Sequence, residues 1–404
     1  MRILFISEYF PPKGKGGGEI SCFLLAKYLV KQGVEIHVLT SKFKGTKKEE
    51  LREGIYIHRL ATTGKNPSSI FSNIKRSISF AKSVKITTKQ LIKKYNFDVI
   101  HYFNINSING TIKTKIPKII HINSPVLFCP KGDLLYNGKT ECTKYCNYTT
   151  FGNCFKNSKN IGKLKNIPIL KYNPIFKKYL YNSYKKRMGL LKQFNYFTPI
   201  SSYLAKRLQI QNIKNISIIP NIVETDKFTK NNSRKDKLRI VYLGGYTEFK
   251  GILILINALK ELKKDYICDI YGTGELKGKI KTNNPNIKFY REIDHKKIPE
   301  LLSNYNVLIF PSIIPEAFGR VAIEAMAAGC LPIASKIGGI TDIITNKKNG
   351  YLFSPGNSQE LTEILNNIDL NKIKSEELVK ESKKYSGEKI SKELIKVYKK
   401  VICT

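Results

Sequence analysis

A short apolar run, a glycine-rich loop, a helical repeat and a second apolar run open this chain, and they restrict its fold more than any other feature. Ile3 to Ser7 reads I-L-F-I-S, short and apolar as a strand buried on both faces should be. The loop Tyr9–Gly18 follows, Y-F-P-P-K-G-K-G-G-G. From Glu19 to Gln32 apolar residues recur at Ile20, Phe23, Leu24 and Leu29, and Gly33 supplies a stop. Val34–Thr40 is the next strand. Parallel strands need a crossover connection, and a helix supplies it. Further strands are predicted at Ile55–Arg59, Val99–Tyr102, Lys118–Ile122, Tyr196–Ile200 and Ser217–Ile219. This alternation predicts an α/β fold, a parallel sheet with helices on both faces.

The pattern stops at Asp226–Lys237, D-K-F-T-K-N-N-S-R-K-D-K, a polar stretch without periodicity that reads as a linker. It starts again at Leu238 with L-R-I-V-Y-L, the turn Gly244-Gly245, and a helix from about Ile252 to Lys263. Strands follow at Tyr266–Tyr271, Ile287–Tyr290, Val307–Phe310 and Leu331–Ala334, and an amphipathic helix at Glu388–Val401. A chain of 404 residues can hold two such domains, each with its own core.

The segment Pro315–Ser335 carries the most chemistry. It sets Glu316 and Glu324 eight residues apart, the first before a helix and the second inside it. Phe318 and Gly319 fall where that helix begins. The start of a helix has unpaired N–H groups and partial positive charge, so it seats an anion. Carboxylates accept hydrogen bonds from hydroxyl groups. A phosphate seat flanked by two hydroxyl readers fits a nucleotide-sugar better than a metal or a nucleic acid.

The formal net charge is +39. From Cys142 to Val223 there is no Asp or Glu, but there are 15 Lys and Arg, interleaved with Tyr172, Phe176, Tyr179, Tyr181, Tyr184 and Phe194. Such a face suits anionic lipid headgroups, at about 1 kcal/mol per basic residue. With no nucleic-acid motif in the chain, the membrane surface is the expected partner, and nucleic acid is not. The abundance of Lys, Asn and Ile with no Trp also fits an AT-rich genome. The start M-R-I-L-F-I-S reads as a strand, not a signal peptide, and no run is long enough to span a membrane. A cytoplasmic protein, peripheral at the inner face of the cell membrane, is the expectation.

Several motifs in order resemble the retaining glycosyltransferases of family 4, which have the two-domain GT-B fold. They are the first loop Y-F-P-P-K-G-K-G-G-G-E; Ile218–Phe228, with Ile222 where Gly is usual; and Leu243–Gly251, L-G-G-Y-T-E-F-K-G. Ile270–Glu275, the glutamate pair and Ile333–Ile344 complete the set. The resemblance covers nearly the whole chain. It implies two Rossmann-like domains facing a central cleft: an acceptor-binding domain over 1–224, joined by a crossing C-terminal helix at 386–404, and a nucleotide-sugar-binding domain over 225–385.

It further implies transfer of a sugar from a UDP- or GDP-sugar to an acceptor hydroxyl with retained configuration, the acceptor being a lipid-linked or cell-surface glycan. No cofactor or catalytic metal is implied. Glu324 would hold the ribose hydroxyls, Glu316 the transferred sugar, and Lys250 the diphosphate. Gly16, Gly17 and Gly18 would approach the donor phosphates, beside the Phe318-Gly319-Arg320 helix start. Two positions depart from the family. Gly245 stands where an Arg is usual, with Arg320 as a conceivable substitute. Asn123 stands where a His is usual, with His121 two residues upstream as a candidate to share its role. These departures motivate an alternative, a glycosyltransferase-like protein that binds nucleotide-sugar without efficient turnover.

Of the eight cysteines, Cys129, Cys142, Cys146 and Cys154 fall within 26 residues as C-x12-C-x3-C-x7-C. Only Cys142 and Cys146 have the tight spacing usual for zinc. A structural zinc, a disulfide and reduced thiols all remain open, with zinc not favoured.

Overall fold

The computed structural model describes the chain except for residues 15, 64–69, 158–172, 229–236, 281, 371, 373 and 404. The linker core 229–236 and Tyr172 therefore lie outside the described residues. Contacts divide the chain into two units, one of Met1–Ile222 with Gly387–Thr404, the other of Val223–Ser386.

The first unit is built on a seven-stranded sheet. Its strands are β1 (Arg2–Ile6), β2 (Glu35–Ser41), β3 (Glu49–Arg52), β4 (Ile55–Ala61), β5 (Val99–Phe103) and β6 (Lys118–Ile122), followed by β9 (Tyr196–Pro199). A small hairpin, β7 (Leu135–Tyr136) and β8 (Thr140–Glu141), stands apart. The order is β3-β4-β2-β1-β5-β6-β9. All pairs are parallel except β3–β4. The helices are α1 (Gly17–Lys31), α2 (Ile70–Lys94), α3 (Ile105–Ile108), α4 (Tyr148–Lys156), α5 (Pro174–Leu191) and α6 (Ser202–Gln209).

The second unit has six parallel strands in the order β12-β11-β10-β13-β14-β15. They are β10 (Leu238–Leu243), β11 (Tyr266–Tyr271), β12 (Ile287–Tyr290), β13 (Val307–Phe310), β14 (Leu331–Ser335) and β15 (Tyr351–Phe353). Its helices are α7 (Ile252–Lys260), α8 (Ile298–Leu302), α9 (Arg320–Ala327), α10 (Ser358–Asn367) and α11 (Ser375–Ser382).

The last helix, α12 (Gly387–Ile402), belongs to the first unit. Its Ile390, Leu394, Val397, Tyr398 and Val401 recur on one face and join Leu25 and Leu29 of α1 in one buried cluster. Each such side chain is worth about 1.5–3 kcal/mol when fully buried. The helix is therefore an integral part of this core.

Several local features differ from the sequence reading, among them the unexpected β7–β8 hairpin and β15. Ser217–Ile219 is not a strand. Ser217 and Ile219 donate to Phe197 and Pro199 carbonyls at 3.1 and 2.9 Å, but Pro220 has no N–H to extend the ladder. The antiparallel edge strand β3 was not expected. Its E-E-L-R sequence is mostly exposed, so no apolar pattern marks it.

Candidate functional site

The C-terminal ends of parallel strands are where open α/β sheets hold ligands. In the second unit the chain leaves β13 through Pro311–Gly319 and enters α9. Gly319 has φ +114°, a conformation that L side chains rarely adopt, and a Cβ there would collide with Ile340. This turn sets Glu316 outside the helix and Glu324 within it.

Glu316 Oε1 lies 2.5 Å from Lys250 Nζ and accepts a 2.6 Å hydrogen bond from Ser312 Oγ. Lys250 ends a short 3-10 turn, Glu248–Lys250, whose capping Thr247 side chain accepts from the Lys250 N–H. Its ammonium also sits 5.8 Å from the Phe310 ring centroid. Two residues 66 apart in sequence are thus joined at one point.

Glu324 is buried, only 4% exposed. Burial raises its pKa above the usual carboxylate range, and the charges of Arg320 and His295 pull it back. Arg320 Nε is 3.9 Å and His295 Nε2 3.5 Å from Glu324 Oε1. Arg320 is itself partly buried, and desolvation lowers its pKa, while Glu324 and Glu224 oppose that shift. Arg320 therefore stands among carboxylates, steadying Glu324. Phe318 is buried with its ring edge-on to Tyr385, centroids 5.7 Å apart. Its side chain packs the unit's interior, and only its backbone is left to face a ligand.

In the first unit, α1 starts at Gly17 after the N-cap Gly16. A Cβ built on Gly18 would stand 2.9 Å from Asn123 Nδ2, so glycine is what lets the first turn of α1 lie against that side chain. Asn123 Nδ2 is buried with no acceptor among the described residues. It borders a small cavity, about 10 Å³, with His121, Asn104 and Ser124.

His121 borders the same cavity as Asn123. It is buried, and desolvation pushes its pKa down to about 3. Its Nδ1 is 3.1 Å from Thr198 Oγ1, which also lies 3.3 Å from His101 Nε2. The Thr198 hydroxyl donates to the Ile120 carbonyl, so it accepts from both imidazoles. His101 Nδ1 then accepts from Tyr398 of α12 at 2.7 Å. His121 is thus a neutral member of a buried chain that ties α12 to β6, the strand leading to Asn123.

Cys129, Cys142, Cys146 and Cys154 line one cavity of about 20 Å³. None of the eight cysteines is bonded to another in the structure. Burial first, then the neighbouring thiols, push Cys146 up to about 12. Among the described residues, no group of three or more His, Cys, Asp or Glu side chains has a metal-holding arrangement.

Sequence reasoning missed His295 and Ser312. Neither lies in a recognisable motif; only their contacts with Glu324 and Glu316 single them out.

A family model described as Glycosyltransferase Family 4 matches residues 15–227, and one described as Glycosyl transferases group 1 matches residues 223–385. An uncharacterized glycosyltransferase of Methanocaldococcus jannaschii is 29% identical over 211 residues, covering 50% of this chain and 58% of that protein. Sucrose-phosphate synthase from Thermosynechococcus elongatus has a similar fold, with TM-score 0.73 and 18% identity, over 100% of this chain and 99% of that one. Anabaena HepE, solved with UDP and glucose, gives TM-score 0.65 and 18% identity over 99% of this chain and 100% of that one.

Proposed function

Because the chain belongs to the family 4 glycosyltransferases, with a group 1 module at residues 223–385, we propose that it is a retaining enzyme using a nucleotide diphosphate sugar. The observation that carries this reading is the pair of ion-paired carboxylates around the start of α9, Glu316 with Lys250 and Glu324 with Arg320. A buried carboxylate is costly unless it has charged partners or a ligand to bind. Glu324 has the Arg320 cation at hand, and a ribose diol would supply its remaining hydrogen bonds. The HepE structure contains UDP and glucose, which favours a UDP-sugar over a GDP-sugar here.

In this reading the ammonium of Lys250 is shared between Glu316 and the donor diphosphate. When the donor binds, Glu316 accepts from hydroxyls of the transferred sugar, and Lys250 turns toward phosphate. The C–O bond between the anomeric carbon and the diphosphate breaks, and its electron pair leaves with the diphosphate. Lys250 and the N–H groups at the start of α9 stabilise that charge. The acceptor hydroxyl attacks from the face the diphosphate leaves, and a departing phosphate oxygen takes its proton, so configuration is retained. Asn123 donates its unpaired N–H to the sugar in the place where relatives carry His. Neither a metal nor a titrating imidazole takes part.

The acceptor is a lipid-linked or cell-surface glycan, and the enzyme works peripherally at the inner membrane face. No helix among the described residues is long and apolar enough to cross a membrane. The acid-free segment 142–223 supports a surface attachment. The test is to incubate the purified protein with UDP- and GDP-sugars and follow nucleotide diphosphate release with and without a prenyl-phosphate-linked glycan. Acceptor-dependent release supports the proposal. Tight donor binding with no release from any donor would favour the non-catalytic alternative.

A further inference from the structure

Two helices of the first unit, α2 and α5, are long and wholly free of Asp and Glu. By sequence α2 carries seven Lys and Arg and α5 carries five. The acid-free stretch around α2 is as informative as that around α5, since no acidic residue occurs from Gly54 to Phe97. A helix on the ordinary surface of a domain usually mixes charges of both signs. Two neighbouring helices of one sign repel each other unless an anion lies between or against them.

A groove of about 520 Å³ runs between these helices. Lys82 and Lys85 of α2 and Lys186 of α5 line it, with Ile78, Ala81 and Tyr179 supplying apolar surface. No acidic residue lines it. Two of its apolar lining side chains are open to solvent, Ile78 at 65% and Tyr179 at 42% exposed, and Ile175, one turn before Tyr179 on α5, is 79% exposed. They share faces with the lysines. Ile78, Lys82 and Lys85 recur at helical spacing along α2, as Ile175, Tyr179 and Lys186 do along α5. Only Tyr184 and Leu191 of α5 are buried, so this helix offers most of its surface to solvent. Cations beside exposed aliphatic and aromatic side chains match an amphiphile with an anionic head and a hydrocarbon tail. A nucleic acid would leave the isoleucines without a partner.

Resting on the membrane-side part of the function proposed above, we propose that the α2–α5 groove is the docking surface for anionic phospholipid of a bilayer. A headgroup phosphate sits between Lys82, Lys85 and Lys186. Ile78, Ile175 and Tyr179 enter the boundary between headgroups and acyl chains. The lysine stems lie along the apolar surface while their ammonium groups reach phosphate. No residue assigned to the donor site lines the groove, so its lysines can be changed without altering a residue proposed for transfer.

The experiment is flotation of the full-length protein with phosphatidylcholine vesicles and with 70:30 phosphatidylcholine–phosphatidylglycerol vesicles, at low and high salt. Wild type is expected to float only with the anionic vesicles, and less at high salt. Lys82→Glu/Lys85→Glu/Lys186→Glu should lower binding by about a hundredfold or more. Ile78→Ser/Tyr179→Ser should remove most of what survives high salt. A control triple reversal at Lys348, Lys372 and Lys383, exposed residues of the second unit, should bind vesicles like wild type.

Circular dichroism melts of each variant separate loss of binding from loss of fold, and UDP binding tests the donor site independently. The proposal is overturned if wild type ignores anionic vesicles. It is equally overturned if the groove and control triples lose binding alike, or if a single-stranded oligonucleotide binds and competes while the apolar pair changes nothing. UDP binding retained alongside any of these results removes the membrane surface and leaves the glycosyltransferase reading standing. Loss of UDP binding in wild type would instead strike that reading.

Discussion

Replacing Lys250 by Ala separates what this residue does for folding from what it does for transfer. In the free protein its ammonium holds Glu316 at 2.5 Å, yet the side chain is 37% exposed. A partly exposed pair of this kind is worth about 0–1 kcal/mol, so the variant should melt within about 2–4 °C of wild type in a protein of this size. In the reaction the same ammonium meets a diphosphate whose charge grows as the sugar departs. Losing one charge-assisted contact there costs about 1.5–3 kcal/mol, which is about a 10- to 150-fold fall in kcat/KM. Lys250→Arg keeps the charge and should recover part of the loss, whereas Lys250→Met should not. The assay is nucleotide diphosphate release under single-turnover conditions, with melting curves for each variant. Turnover by Lys250→Ala above half that of wild type would refute the assignment. So would a loss of activity matched by an equal loss of folded protein.

Gly245→Arg restores the cation usual in the family, and a Cβ there would meet nothing closer than 3.6 Å. It should fold normally and bind UDP about tenfold more tightly, as measured by calorimetry; unchanged or weaker binding would count against the missing-cation reading. Glu324→Gln should weaken UDP itself by about 10- to 100-fold, whereas Glu316→Gln should leave UDP alone and remove only the extra affinity of the sugar nucleotide. Equal losses for both ligands in both variants would contradict the division of roles.

Acid stability follows from His101 and His121, which burial holds neutral in the fold. Their folded pKa values lie below the unfolded value of about 6.5, so their contribution is present above that pH and is lost as pH falls below it. At full effect the two imidazoles cost about 2.7 kcal/mol per pH unit. Urea melts between pH 7.5 and 5 should show this decline, and His121→Leu should shallow it relative to its own value at pH 7.5.

The sheets were readable from sequence because buried parallel strands are short apolar runs ended by glycine loops. Lys118–Ile122, Tyr266–Tyr271, Ile287–Tyr290 and Val307–Phe310 fall where the pattern puts them. β3 was not readable because an exposed edge strand needs no apolar face. The glutamate pair was visible as spacing around a helix start, but its partners were not. Lys250 reaches Glu316 across 66 residues, and His295 approaches Glu324 from another element. Sequence alternation put His121 on the side of Asn123. It could not reveal that Thr198, His101 and Tyr398 would take up His121 in a buried chain. Nor could cysteine spacing reveal that Cys129, Cys142, Cys146 and Cys154 line one cavity.

The most direct measurement is release of nucleotide diphosphate from a panel of UDP- and GDP-sugars by the purified protein, with Glu316→Ala alongside as control. A donor-using enzyme should release the diphosphate from at least one sugar nucleotide, at a rate that rises with a lipid-linked glycan and falls at least about tenfold in Glu316→Ala. No binding and no release with any donor would contradict the assignment of Glu316, Glu324 and Lys250 as a sugar-nucleotide site.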